Sequence, residues 1–119
     1  MKVFEYKNCG TCRKALKFLE TNRIQHQKIP IRETPPSKEE LKKAISQFKG
    51  NPKKLLNTSG LDYKNLNLKD KLNSMKEDEL IELLSSNGNL IKRPFVIYNS
   101  KILIGFNETE WKKELLENV

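Results

Sequence analysis

The chain has little sulfur and almost no histidine: two cysteines, Cys9 and Cys12, and a single histidine, His26, among 119 residues. That scarcity argues against a structural zinc centre, which takes a tetrahedral set of cysteine and histidine ligands, so no metal is expected. Nor does it favour a disulfide framework, because cysteines separated by two residues close a loop too small to restrain the unfolded chain much. Long apolar runs are missing too. No stretch approaches the roughly 18 apolar residues that span a bilayer, and Met1-Lys-Val-Phe-Glu-Tyr lacks the apolar core of a signal peptide. The expectation is a cytoplasmic protein with no membrane partner. Aromatic residues amount to only 8%, and the lysines behind the net charge of +8 are interrupted by acids and leucines. These read as solvated helix faces, so no direct sequence-specific contact with nucleic acid is expected.

The 36% of hydrophobic residues suffices for one modest core, and a single domain over 1–119 is expected. Lys2 to Tyr6 alternates as a short buried strand. Ala15, Leu16, Phe18 and Leu19 then recur at helical spacing from Thr11, Thr21-Asn22 marks a stop, and Gln25 to Ile31 reads as extended. Strand, helix and strand in this span form a βαβ unit with its strands parallel. Ser37 and Glu40 make a capping box before Leu41, Ala44, Ile45 and Phe48, in a helix ending near Gly50. Short helices are expected between Asn51 and Asn73, with Pro52 at a helix start. Ser74 and Glu77 read as a second capping box, ahead of a helix through Leu80, Ile81, Leu83 and Leu84 that Gly88 terminates. Phe95–Tyr98 and Lys101–Ile104 flank an Asn99-Ser100 turn as a hairpin, and Asn107 with Glu110 caps a last helix carrying Trp111, Leu115 and Leu116. The predicted fold is α/β: a thioredoxin-like mixed four-stranded sheet, βαβ then ββα, with a sheet core at 1–33 and 89–119 and a helical insert at 34–88.

Asn8-Cys9-Gly10-Thr11-Cys12-Arg13 sits where the first strand hands over to the first helix. The free N–H groups and positive dipole end of that helix stabilise a thiolate at Cys9, with Lys7 and Arg13 as further cations. Cys12, three residues on, shares neighbouring helix surface and is the natural resolving thiol, while Gly10 leaves the approach unobstructed. In this reading Cys9 attacks an oxidised sulfur or other electrophile and Cys12 closes the internal disulfide, which an external thiol resets. The competing readings are half of a zinc site, with His26 the sole further soft ligand, and two inert core thiols. Arg93-Pro94 opens the hairpin. As a bland feature it is a solvated cation before a strand-entry proline. In a thioredoxin-like sheet the loop lies beside the first helix start, where a cis peptide shapes the site and Arg93 faces the cysteines or their substrate.

Three motifs occurring together in this order, residues 8–15 (Asn-Cys-Gly-Thr-Cys-Arg-Lys-Ala), 92–95 (Lys-Arg-Pro-Phe) and 105–108 (Gly-Phe-Asn-Glu), resemble the arsenate reductase (ArsC)/Spx family over essentially the whole chain. The resemblance implies a thiol-disulfide oxidoreductase with Cys9 and Cys12 as the catalytic pair and no cofactor. Arg93 and Arg13 are then substrate-binding, Gly10 and Pro94 structural. The electron donor is a glutathione/glutaredoxin or thioredoxin system. Arsenate itself is disfavoured: the reductases carry further arginines where this chain has Asn57 and Gly105, and a multiply charged oxyanion needs those guanidinium groups. Cys12 and the Gly-Phe-Asn-Glu ending are similar to the Spx branch. That likeness implies the alternative of a redox-sensing transcriptional regulator, whose partner is the C-terminal domain of the RNA polymerase α subunit. From that branch the chain differs in ending at Val119, where a longer tail is expected.

Overall fold

Val3 and Phe4 occupy opposite faces of strand β1 (Lys2–Glu5), and both are buried, so the strand is covered on each side. In the computed structural model, which describes residues 1–117 and leaves Asn118 and Val119 at the end of the expected domain outside, β1 lies within a four-stranded sheet of order β2-β1-β3-β4. The other strands are β2 (Gln27–Pro30), β3 (Phe95–Tyr98) and β4 (Lys101–Ile104). β3 is antiparallel to β1 in the register Val3↔Val96 and Phe4↔Phe95, and antiparallel to β4 through Phe95↔Ile104. The expected mixed sheet and its βαβ-then-ββα order are therefore what the chain forms. β1 is shorter than its apolar alternation because the carbonyl of Tyr6 turns to accept the Cys9 N–H at 3.0 Å. Asn99 makes the hairpin turn at φ +54°, a conformation asparagine tolerates better than most residues.

The chain divides into two compact units, one formed by residues 1–29 with those from Arg93 onward, the other by Pro30–Lys92. In the first, helix α1 (Gly10–Thr21) buries Cys12, Ala15, Phe18 and Leu19 along one stripe, as its periodicity requires. Phe18 and Leu19 join Val3, Val96, Leu103, Trp111 and Leu115 in one core. Trp111 is fully enclosed and meets Phe18 edge to face at 5.9 Å and Phe106 at 4.9 Å. Its helix, α6 (Glu108–Lys112), is capped by Asn107, whose Oδ1 accepts the Glu110 N–H at 2.9 Å, and continues as a π-helical turn over Lys113–Glu117.

The second unit is helical. Ser37 and Glu40 form the expected reciprocal box at the start of α2 (Lys38–Gln47), with Ser37 Oγ accepting at 3.1 Å and Glu40 Oε1 accepting at 2.9 Å. Pro52 opens a 3-10 turn at Pro52–Leu55, followed by the short helices α3 (Leu61–Asn65) and α4 (Leu68–Lys71) and a 3-10 turn at Leu72–Ser74. The second expected box does not form. Ser74 Oγ donates instead to the Lys71 carbonyl at 3.0 Å, and α5 (Glu77–Ser86) is capped at Lys76, whose N–H Glu79 reaches back to accept at 3.1 Å. Gly88 stands past the end of α5 in a 3-10 turn, and the reason for glycine is contact: a Cβ there would lie 1.9 Å from the Ile31 carbonyl oxygen. No helix among the described residues is long and apolar enough to cross a membrane.

Candidate thiol active site

Cys9 is the N-cap of α1. Its backbone is extended (φ −101°, ψ 116°), and its Sγ accepts the Cys12 N–H at 3.3 Å, the bond that serine or asparagine oxygen makes at an ordinary helix start. The first turn of α1 holds no acidic residue, so no carboxylate of that turn offsets the positive end of the helix beside the sulfur. Cys9 is half-buried and Cys12 only 1% exposed.

This environment separates the two thiols. Partial burial by itself pushes Cys9 up, but the Cys12 side chain, the Cys12 backbone N–H and a hydrogen bond and positive charge from Arg93 together outweigh it, holding Cys9 below its ordinary 9.0. Cys12 moves the other way, pushed up to about 12 by burial first and then by the neighbouring Cys9, against smaller opposing effects from the Tyr6 backbone and Arg93. The surroundings favour the charged form at Cys9 and the protonated form at Cys12.

Of the residues singled out from sequence, Cys9, Cys12 and Arg93 are brought together. Arg93 precedes Pro94 through a cis peptide bond, and the Pro94 carbonyl accepts the Gly105 N–H at 2.9 Å, tying the loop to the end of β4. Gly10 is exposed at the first position of α1, and an added Cβ would meet nothing within 4 Å, so the glycine leaves space open there. Arg13 is exposed on α1, and Arg93 is the cation that acts on Cys9. His26 packs its Nδ1 2.8 Å from the Ile24 carbonyl. At the two positions that depart from the arginine pattern, Gly105 sits at φ +73°, which an arginine side chain would strain, and the Asn57 amide donates to the Asn89 carbonyl at 3.3 Å.

Sequence reading missed Tyr6. The Arg93 guanidinium lies over its ring, 4.9 Å from the centroid; its hydroxyl accepts from Asn8 Nδ2 at 3.1 Å; and its carbonyl holds the Cys9 N–H. The available signal was an aromatic residue three positions before the first cysteine, which the strand alternation absorbed.

The ArsC family matches residues 4–114. The Bacillus subtilis protein YusI is 49% identical over 95% of this chain and 96% of its own, and the global transcriptional regulator Spx of Streptococcus mutans is 31% identical over 91% of this chain and 77% of its own. Among solved structures, an ArsC-family-related protein from Bacteroides fragilis superposes with a TM-score of 0.84 at 44% identity, covering 94% of each chain. A thioredoxin-like sheet, a thiol at the cap of its first helix and a match along nearly the whole length agree: this chain belongs to the ArsC family.

Proposed function

We propose that this ArsC-family protein is a thiol-disulfide oxidoreductase in which Cys9 attacks and Cys12 resolves. The observation that carries the reading is the Cys9 sulfur at the cap of α1, receiving the Cys12 N–H at 3.3 Å. The Cys9 thiolate attacks one sulfur of a substrate disulfide, a mixed disulfide forms, and the other sulfur leaves as a thiolate that takes a proton from water. Neutralising Cys9 in this way removes both its charge and its hydrogen bond from Cys12, two of the influences holding the Cys12 proton. Cys12 Sγ then attacks Cys9 Sγ, the Cys9–substrate sulfur bond breaks as the internal disulfide forms, and the Cys12 proton passes through water to the departing sulfur, which leaves as the second substrate thiol. Two electrons pass from the cysteine pair to the substrate. A glutathione/glutaredoxin or thioredoxin system in a reducing cytoplasm returns them.

Arg93 orients an anionic part of the substrate beside Cys9, Arg13 adds positive charge on the exposed side of α1, and Gly10 leaves the approach open. A disulfide carries no charge on its reacting sulfurs. One guanidinium therefore serves it better than it would serve arsenate, for which Asn57 and Gly105 supply none.

The test is reduction of bis(2-hydroxyethyl) disulfide with either donor system. The wild-type chain turns over, and Cys9→Ser falls to background. Absence of wild-type turnover with both donors would overturn the proposal. The kinship with Spx favours a second reading, in which the Cys9–Cys12 disulfide alters a protein surface and nothing is turned over. That reading would be selected by an absence of turnover together with redox-dependent capture of the C-terminal domain of the RNA polymerase α subunit.

A further inference from the structure

We infer that Tyr6 is a positioning residue: its ring is the platform that holds the Arg93 guanidinium beside the Cys9 sulfur. The inference rests on the thiol reading of the site, and it adds a residue that neither the cysteine motif nor the Arg93-Pro94 loop contains.

The geometry is specific. A guanidinium on a flexible side chain has many rotamers, and ordering it has an entropic cost. The Tyr6 ring lies under Arg93 at 4.9 Å, within the range where a cation is attracted to an aromatic face. From there its positive charge favours the charged form of Cys9. The platform's backbone is tied to the nucleophile, since the Tyr6 carbonyl accepts the Cys9 N–H at 3.0 Å; the Tyr6 hydroxyl accepts from Asn8 at 3.1 Å in an exposed bond. Tyr6 thus sets both the backbone that carries the nucleophile and the side chain that carries its counter-charge. The face of the ring makes the contact with Arg93, so the hydroxyl is the dispensable part and the ring is not.

The groups that act on the Cys9 charge are Cys12 and Arg93, and only the second depends on the platform. Loss of the ring should therefore weaken the thiolate to the extent that Arg93 supports it, and no further. A cation–π contact of about 0.5–1 kcal/mol corresponds to roughly a two- to fivefold effect.

The experiment measures iodoacetamide alkylation of Cys9 against pH for the wild type, Tyr6→Phe, Tyr6→Leu, Arg93→Met and the double variant Tyr6→Leu/Arg93→Met, each checked for folding by thermal melting. Tyr6→Phe should follow the wild-type profile. Tyr6→Leu should shift the midpoint upward and slow alkylation below it about two- to fivefold. The double variant should match Arg93→Met alone. The inference is overturned if Tyr6→Leu keeps the wild-type profile, or if it slows alkylation as much in the Arg93→Met background as in the wild type. Tyr6→Phe reports on the same question should the leucine variant not fold, since a shifted profile for that conservative change would place the effect in the hydroxyl. The wild-type protein is also assayed for disulfide turnover. Absence of turnover with the expected alkylation pattern would end the oxidoreductase reading and leave the platform standing.

Discussion

Helices α1 and α2 begin with the same hydrogen bond and put it to different uses. At α2 the Ser37 oxygen accepts the Glu40 N–H, Glu40 returns the bond, and Glu39 and Glu40 place negative charge against the dipole. At α1 the Cys9 sulfur accepts the Cys12 N–H, nothing returns the bond, and the first turn has no acid. A fully satisfied helix start contributes stability; one left electrically open can hold a charge that the chain needs for chemistry. The difference lies in which atom stands at the cap and what the first turn withholds.

The comparison breaks most visibly at the cap atoms. Cys9→Ser keeps a capping side chain, so melting should change little while disulfide reduction vanishes; a variant that retains turnover would show the cap sulfur to be irrelevant. Ser37→Ala should do the reverse, lowering unfolding free energy by about 1 kcal/mol in urea denaturation with no effect on Cys9 alkylation. Introducing an acid where α1 lacks one sharpens the contrast. Thr11→Glu should raise the Cys9 midpoint and slow its alkylation at neutral pH by about two- to fivefold, the scale of a charge acting on a helix end, while leaving the fold intact. An unchanged rate would mean that the open first turn has no bearing on the thiol.

A further effect is expected in stability at high pH. Because Cys12 is pushed up to about 12 from 9.0, the folded state holds that proton more tightly than the unfolded state. The resulting stability is fully present below about 9 and is lost as pH rises toward 12. In Cys12→Ser the fall in melting temperature over this range should be shallower than in the wild type. A fall of equal steepness would show that Cys12 does not contribute to it.

How far the sequence reveals the site depends on distance along the chain. The cap of α2 was legible because Ser37 and Glu40 meet within one helical turn, and the Cys9 cap was legible for the same reason. The Ser74-Glu77 pattern has the same spacing, yet Ser74 spends its hydroxyl on the Lys71 carbonyl, and Glu79 supplies the returning bond to α5. Local spacing permits a box; competition among neighbouring acceptors decides which one forms. The first strand was legible in the alternation of Val3 with Phe4, and the hairpin in its Asn99-Ser100 turn. Gly88 was legible as an end to α5, but its contact with the Ile31 carbonyl comes from a distant part of the chain and leaves no local trace. The meeting of Tyr6 with Arg93 has the same origin. Pairing of β1 with β3 brings together segments from opposite ends of the sequence, and each residue alone looks like an ordinary strand-end side chain.

The fold sets two cysteines separated by two residues in surroundings that act oppositely on their protons. Site-resolved mass spectrometry of the native, reduced chain after graded iodoacetamide exposure across a pH series measures this directly. The first adduct should fall on Cys9 with a midpoint below 9.0, and Cys12 should stay unmodified until the fold is lost. A first adduct on Cys12, or a Cys9 midpoint at or above 9.0, would contradict the account.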